Sequence, residues 1–401
     1  MGAIKDSSIY VTGEIVAKSL PFILMPYLAR KLGPEGYGEL SYFLTWVAIM
    51  SIFVGMSQHG AVARYFYKYG KRSIGLVVNS GLLFSFITIV PFVIYGVLTS
   101  NEVLLLITFC AFSMSILSVQ LTLRQCQRRA TYYTVIQLLS SLLSVLLTIA
   151  LFELIQSVPA NRLLAIASGN MVCASVCFVL YFKNKNSLKL MNINNLKKAL
   201  YFILAFGGPL IFHHLSLFAK GTLDRLFIED SFGLVQLGLY AASFQLVMII
   251  QVLFSAVNKA IVPYYYSALK NKALTKKSIF TYASYSLLIV PISVTFFSVI
   301  PETWYLLILG EEFMGVKELV VAFSFGTSLF ACYFILVNYL FYFGMTGIVA
   351  KINVLSALIH VFCVLLLSTF SMKYVPFSLF ISNVVLIVGI MLAVYYHKCK
   401  E

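Results

Sequence analysis

Twelve apolar stretches, each long enough to cross a bilayer as a helix, alternate with short connections along this chain. No connection is long enough to fold as a separate soluble domain, and only 11% of the residues are charged. The sequence therefore predicts a protein that is almost entirely membrane-embedded. The stretches lie at 8–29, 38–62, 74–98, 103–123, 132–154, 163–182, 199–221, 233–256, 279–300, 318–343, 348–370 and 375–396.

Positive charge is concentrated in every second connection. Of the 29 basic residues, 21 fall on one side, at positions 5, 64–72, 124–129, 183–198, 259–277, 351 and 398–400. Because cytoplasmic loops carry the excess of lysine and arginine, this alternation predicts cytoplasmic amino and carboxyl termini. The first apolar stretch is followed by no cleavage site for a signal peptidase, so we expect it to be retained.

The net charge of +15 is not a signal for nucleic acid. The basic residues lie in short loops, where they set topology and meet anionic membrane lipids, and no nucleic-acid-binding module is present. The seven cysteines form no CxxC pair and lack histidine or carboxylate partners. We therefore predict no metal site and no cofactor.

The spans divide six and six around the longest cytoplasmic connection. This predicts an amino-terminal bundle at 1–182, a connecting loop at 183–198 and a carboxyl-terminal bundle at 199–401. Gly38 matches Gly238, and Arg30 matches Arg225, in the two halves. An even number of spans makes the repeats parallel, with a path in the cleft that they enclose. The predicted fold is all-α, with about 12 transmembrane helices in two parallel six-helix bundles around a central cleft.

Charged residues within the spans each require a reason, because burying them costs roughly 2.5–3.5 kcal/mol. Glu14 and Lys18 share one face of the first span. In the seventh span His213, Lys220 and Asp224 share a face, and His213 occupies the depth of Lys18 when Arg30 is matched to Arg225. The polar faces of the first and seventh spans predict a substrate or ion path. For Glu14 and Lys18, an ion pair within the helix is the alternative explanation. Whether His213 or His214 faces that path stays open.

Three basic residues end their spans on the inner side, namely Arg64, Arg124 and Lys259. They either fix the orientation of the chain in the membrane or contact an anionic lipid head group. Two milder polar stripes accompany them: Gln120, Arg124 and Gln127 in the fourth span, and Gln137, Ser141, Ser144 and Thr148 in the fifth. For the stripe in the fifth span, close helix packing is the favoured reading.

No motif for an enzyme is present. The chain lacks GxSxG, HExxH and a Walker loop, and it contains no paired carboxylates for acid–base work. We expect a protein that is not an enzyme, has no catalytic residues, and draws on an ion gradient, the membrane potential or substrate supply.

The segment Leu28–Gly38 resembles the Arg-x-Leu-Gly-x-x-x-Tyr-Gly turn of the polysaccharide-transporter family of lipid-linked oligosaccharide flippases. Asp224-Arg225-Leu226 and Gly238-Leu239-Tyr240 are similar to that family's Asp-Arg and Gly-x-Tyr elements. The resemblance covers the whole chain, including its twelve spans and long middle connection.

This resemblance implies an O-antigen (Wzx-type) flippase of the bacterial inner membrane, within the multidrug/oligosaccharidyl-lipid/polysaccharide exporter superfamily. The implied substrate is an undecaprenyl-pyrophosphate oligosaccharide, and polysaccharide polymerase and chain-length machinery are implied partners. The resemblance also implies a cationic lumen, and the residues expected to line it by position are Lys18, Arg30, His213, Lys220 and Arg225. At its cytoplasmic entrance we expect Arg64, Arg124 and Lys259, and Glu14 and Asp224 are candidates for ion coupling.

Two other functions compete with this reading. A cation-coupled multidrug or metabolite exporter of the same superfamily is expected to prefer acidic lumen residues, whereas basic residues outnumber acidic ones in spans 1 and 7. A membrane polymerase or acyltransferase needs a sizeable outer loop with catalytic residues. The largest outer loop, near 301–317, contains no histidine or arginine.

Overall fold

A computed structural model describes residues 2–70, 73–182 and 193–397, without the side chains of 2–11, 14, 18 and 180–182. The described chain is helical throughout, with short turns and no strand. Its helices are α1 (Gly2–Gly55), α2 (Gln58–Tyr69), α3 (Ile74–Leu98), α4 (Glu102–Cys126), α5 (Ala130–Leu154), α6 (Pro159–Phe182), α7 (Ile193–Gly221), α8 (Asp224–Lys270), α9 (Lys276–Ser286), α10 (Ile289–Val299), α11 (Glu302–Leu309), α12 (Val316–Ser328), α13 (Phe330–Tyr342), α14 (Thr346–Ser368) and α15 (Phe377–Tyr396), with 3₁₀ turns at Glu311–Phe313 and Met372–Tyr374.

Ten continuous stretches of the described chain are long and apolar enough to cross a membrane. Two of them, Ile15–Tyr69 and Ile193–Lys270, are 55 and 78 residues long, far more than one crossing requires. Each contains a break at a glycine, with φ 65° and ψ −179° at Gly33 and φ 81° and ψ 175° at Gly233. Dividing the two stretches at these glycines gives twelve segments, which is the number of spans that the sequence predicts.

The two breaks have nearly the same backbone geometry and lie 200 residues apart, the same offset as Gly38 and Gly238. A positive φ combined with an extended ψ is essentially confined to glycine, because any side chain would clash with the backbone. Arg30 lies three residues before the first break, whereas Arg225 lies eight residues before the second. The predicted match between these two arginines is therefore five residues out of structural register.

The chain forms two compact units. The first comprises Met1–Leu24 and Tyr42–Leu215, and the second comprises Met25–Ser41 and Ser216–Glu401. The early segment Met25–Ser41 packs within the second unit, where the Tyr37 and Phe313 rings meet edge to face with centroids 6.1 Å apart. The sequence-based division into 1–182, 183–198 and 199–401 stays a prediction, and residues 183–192 lie outside the described chain.

In the first unit, α1 ends at Gly55 and α2 begins at Gln58, so the helical hydrogen-bond ladder is interrupted at Met56 and Ser57. Two buried side chains bond the freed Val54 carbonyl: Gln58 Nε2 donates to it over 3.2 Å and Ser85 Oγ over 2.9 Å. Gln58 Nε2 also donates to Ser85 Oγ over 2.7 Å. The break is thus stabilised by a side chain from α3, since no water is available inside a bilayer to do so.

We expect Gln58→Leu to lower the stability of the first unit by about 1–3 kcal/mol, because Ser85 Oγ loses a buried donor. Thermal unfolding of the purified protein measures the effect. Ser51→Ala is the control, since Ser51 bonds only the Val47 carbonyl of its own helix. Equal midpoints for both variants would contradict the role assigned to Gln58.

In the second unit, His397 follows α15 and packs on α13. Its Nδ1 lies 3.0 Å from the Tyr339 hydroxyl, and its carbonyl accepts a hydrogen bond from Lys276. Desolvation lowers the pKa of His397, and the Lys276 ammonium lowers it further. The folded state therefore favours the neutral ring.

The expected consequence is a pH dependence of stability. Above a pH of about 6.5 the ring is neutral in both states. As pH falls below that value the unfolded chain takes up the proton first, so stability decreases until the pH passes the folded pKa. We expect the unfolding midpoint of the wild type to fall more steeply between pH 7.5 and 5.5 than that of His397→Asn. Parallel pH profiles would show that His397 contributes nothing.

Candidate functional site

The residues predicted to line a transport path fall in both units. Side chains of Glu14 and Lys18 lie outside the described residues, so the polar face of the first span stays a prediction. The first unit contains Arg64, Arg124 and His213, and the second contains Arg30, Lys220, Asp224, Arg225 and Lys259.

Five residues of the second unit form what we call the polar cluster: Lys220, Asp224, Tyr240, Ser356 and His360. Lys220 Nζ donates to Ser356 Oγ over 2.8 Å, and Ser356 Oγ donates to the Ser382 carbonyl over 2.6 Å. Both serines are fully buried. Lys220 makes no ion pair with a described carboxylate, so its ammonium is held by a neutral hydroxyl.

Asp224 occupies the start of α8 and serves as a structural acceptor. Its Oδ2 accepts a hydrogen bond from the Tyr240 hydroxyl, and its Oδ1 accepts one from the Arg225 backbone N–H over 3.0 Å. Tyr240 is only 1% exposed. A carboxylate in the first turn of a helix is also stabilised by the helix dipole. Asp224 thus links the first turn of α8 to Tyr240, which lies further along the same helix.

His360 is as fully buried as Tyr240, with 1% exposure. Its ring faces the Ser378 backbone without regular hydrogen-bond geometry, and neither ring nitrogen has a partner among the described residues. It lies within electrostatic range of Asp224 and Lys220. The cluster therefore combines a cation, an anion and an imidazole in one low-dielectric environment.

The two arginines of the second unit have different surroundings. The Arg225 guanidinium lies over the Phe244 ring, 5.9 Å from its centroid. Arg30 is exposed and donates to the Leu307 carbonyl in α11. Neither forms a described ion pair, so each keeps a positive charge that an anion can approach.

In the first unit, three histidines adjoin one another. The His214 ring lies 6.3 Å from the His59 ring and 5.7 Å from the His213 ring, between centroids. His213 and His59 are exposed, whereas His214 is half-buried. The sequence analysis did not single out His59, because it lies 154 residues before His213 in the chain.

The three basic residues at the predicted inner ends of their spans also have different surroundings. Arg64 is exposed, with its guanidinium 5.4 Å from the Phe206 centroid and 5.9 Å from the Phe202 centroid. Lys259 is exposed and follows Asn258, whose Oδ1 accepts a hydrogen bond from Asn338 over 2.7 Å. Arg124 instead is buried against α6, at 6% exposure.

Sequence periodicity found Lys220 and Asp224 but missed the other members of the polar cluster. Tyr240, Ser356 and His360 come from α8 and α14, and only the packing of those helices brings them to Lys220. Chemically, the cluster can hold an anion near Lys220 and exchange a proton at His360 or Asp224. Among the described side chains there is no group of three or more histidines, cysteines or carboxylates with metal-site geometry.

Comparison with known proteins gives two consistent results at the level of sequence. The model of a family described as polysaccharide biosynthesis protein matches residues 3–269. A Haemophilus influenzae (strain ATCC 51907 / DSM 11121 / KW20 / Rd) protein named Lsg locus putative protein 1 is 41% identical over 379 residues, covering 94% of each chain. An uncharacterized membrane protein from the same strain is 42% identical over 379 residues, covering 94% of this chain and 93% of its own.

Among solved structures, the fold is similar to the inward-facing conformation of a multidrug resistance MATE family transporter of the MOP superfamily. The TM-score is 0.69 at 16% sequence identity, over 95% of this chain and 96% of that one. At this identity the likeness concerns the fold alone. It confirms the predicted all-α, many-helix architecture.

Proposed function

Because this multi-pass membrane protein belongs to the polysaccharide biosynthesis protein family, we propose that it moves an undecaprenyl-pyrophosphate-linked oligosaccharide across the bacterial inner membrane. The direction is from the cytoplasmic to the periplasmic leaflet, with both termini in the cytoplasm. The cargo is the repeat unit of O-antigen or of a related surface polysaccharide, which polymerase and chain-length machinery then extend.

The observation that carries the proposal is the environment of Lys220. A pyrophosphate carries at least two negative charges, and its passage through a low-dielectric region requires cations that are not already neutralised. Lys220 is held by the Ser356 hydroxyl rather than by a carboxylate, so it can exchange that neutral partner for a phosphate oxygen.

Transport follows an alternating-access cycle in which only the charged head group crosses while the lipid tail stays in the bilayer. Lys18, Arg30, His213, Lys220 and Arg225 contact the head group at different stages. Arg64 and Lys259 supply exposed positive charge at the cytoplasmic entrance, where anionic lipids also gather, whereas Arg124 is buried at the inner end of α4.

Ion coupling is assigned to Glu14 and Asp224. The bonds of Asp224 to Tyr240 and to the start of α8 support a role in which protonation loosens the α8 segment. Glu14→Gln with unchanged pH-dependent transport would remove Glu14 from this scheme.

The experiment is complementation in bacteria that lack their own lipid-linked oligosaccharide flippase but retain the matching sugar pathway. Surface polysaccharide is measured, with protein level checked by blot. We expect Lys220→Met to lower polymer about tenfold or more at normal protein level, and Lys220→Arg to retain it. Lys272→Met is the matched control, since Lys272 is exposed in the turn after α8.

The outcomes separate the possibilities. Full activity of Lys220→Met alongside an active wild type would retain the flippase and remove Lys220 from the path. Failure of the wild type to restore polymer would instead favour the second candidate, a cation-coupled multidrug or metabolite exporter. That candidate rests on the shared transporter fold and predicts drug resistance in the same cells.

A further inference from the structure

The first unit contains a buried positive charge with no carboxylate close to it among the described side chains. Arg124 lies in the last turn of α4 at 6% exposure, and its Nη2 donates to the Cys177 carbonyl of α6 over 3.1 Å. The Cys177 thiol lies against the same guanidinium. These partners are neutral, so they satisfy hydrogen bonds without balancing the charge.

The acidic side chains described in the first unit are Glu102 and Glu153. Glu102 begins α4, 22 residues before Arg124, which places the two about 33 Å apart along the helix. Glu153 lies near the far end of α5, 23 residues beyond Ala130, which gives a similar distance of about 35 Å from the α4–α5 turn. Among the groups that the structure describes, only the partial negative charge of helix ends is nearer to Arg124.

Gln120 lies one helical turn before Arg124 on the same face and is 0% exposed. Neither its amide nitrogen nor its amide oxygen has a partner among the described residues. Gln127, one turn after Arg124, has an unpaired buried carbonyl oxygen, as has Gln137 in α5. A buried polar group without a partner costs about 1–3 kcal/mol, so these amides require something to bond.

We propose that Arg124 and Gln120 form a buried binding site for a small monovalent anion of the chloride class. The guanidinium supplies charge and several N–H donors, and the Gln120 amide turns its NH₂ toward the same ion, since either orientation of the amide fits. Val119 and Leu123 flank the site at 3% and 0% exposure, so apolar side chains enclose it, which favours a small ion over a phospholipid or sugar phosphate. A water molecule would satisfy the amide but would leave the guanidinium charge unbalanced.

The test uses the full-length protein in nanodiscs of zwitterionic lipid. Thermal unfolding is followed in sodium chloride, sodium bromide and sodium gluconate at equal ionic strength. We expect chloride and bromide to raise the midpoint by about 2 °C or more over gluconate, with saturation at high concentration. Gln120→Leu and Arg124→Met should abolish the rise.

Arg128→Gln is the control, because Arg128 is exposed in the α4–α5 turn and should keep the rise unchanged. If the unfolding midpoint of the wild type is the same in chloride and in gluconate, the proposal is overturned, even if Gln120→Leu and Arg124→Met fail to fold. A rise that persists in Gln120→Leu would overturn it as well, since the anion would then bind elsewhere. Stability is the readout, so the result is independent of the transport activity proposed above.

Discussion

Replacement of Gly38 or Gly238 by alanine should prevent the second unit from packing as the structure shows. A Cβ atom on Gly38 would lie 1.9 Å from the Leu234 carbonyl oxygen, and one on Gly238 would lie 1.8 Å from the Pro34 carbonyl oxygen. Both obstacles are backbone atoms, so no side-chain rotation relieves them. The two helices would have to separate by more than 1 Å, at a cost of about 3 kcal/mol.

Size-exclusion profiles and thermal unfolding of the two variants measure this effect. Gly208→Ala in α7 is the matched control, because a Cβ there has no atom within 4 Å. Alanine is the better helix former, so this control should gain about 0.5–1 kcal/mol in stability. If Gly38→Ala and Gly238→Ala unfold at the same midpoint temperature as the wild type, the helices do not cross as closely as described.

The second large effect is expected at the buried pair of Asp224 and Tyr240. Asp224→Ala leaves the Tyr240 hydroxyl without its acceptor at 1% exposure, and it removes one of the two acceptors of the Arg225 N–H, which also bonds the Thr222 carbonyl. We expect a loss of about 2–3 kcal/mol, whereas Asp224→Asn keeps an acceptor oxygen and should lose less.

A double-mutant cycle with Tyr240→Phe isolates the hydrogen bond. The coupling between the two positions should be about 1.5–3 kcal/mol, typical of a hydrogen bond to a charged group. Additive effects would mean that the hydroxyl and carboxylate do not interact. Transport measured on Asp224→Asn then separates the two roles, because the amide preserves the bond but cannot take up a proton.

The spans could be predicted because the bilayer imposes a length and an apolar composition on each. The family resemblance, read from the glycine-rich turn at Leu28–Gly38, is confirmed by the family match and by the close relatives. Interruptions inside apolar stretches escaped prediction. The break between Gly55 and Gln58 depends on Ser85 of α3, and hydropathy does not record such a partner.

The site was predicted only where its residues share one helix face. Lys220 and Asp224 follow such a face, but His360 and Ser356 reach them through packing of α14, which no local pattern encodes. The glycine pair illustrates the same limit. The sequence matched Gly38 with Gly238 as repeats, yet it could not reveal that their backbones touch.

The second unit is built from two separate segments of the chain, and this has a consequence for dividing the protein into fragments. A chain cut in the long central connection would leave Met25–Ser41 on the amino-terminal fragment, although this segment packs in the second unit. The carboxyl-terminal fragment alone would then expose the surface that Tyr37 and Gly38 cover. The two pieces are therefore complementary fragments rather than independent domains, and the carboxyl-terminal piece should fold only when both are made in the same cell.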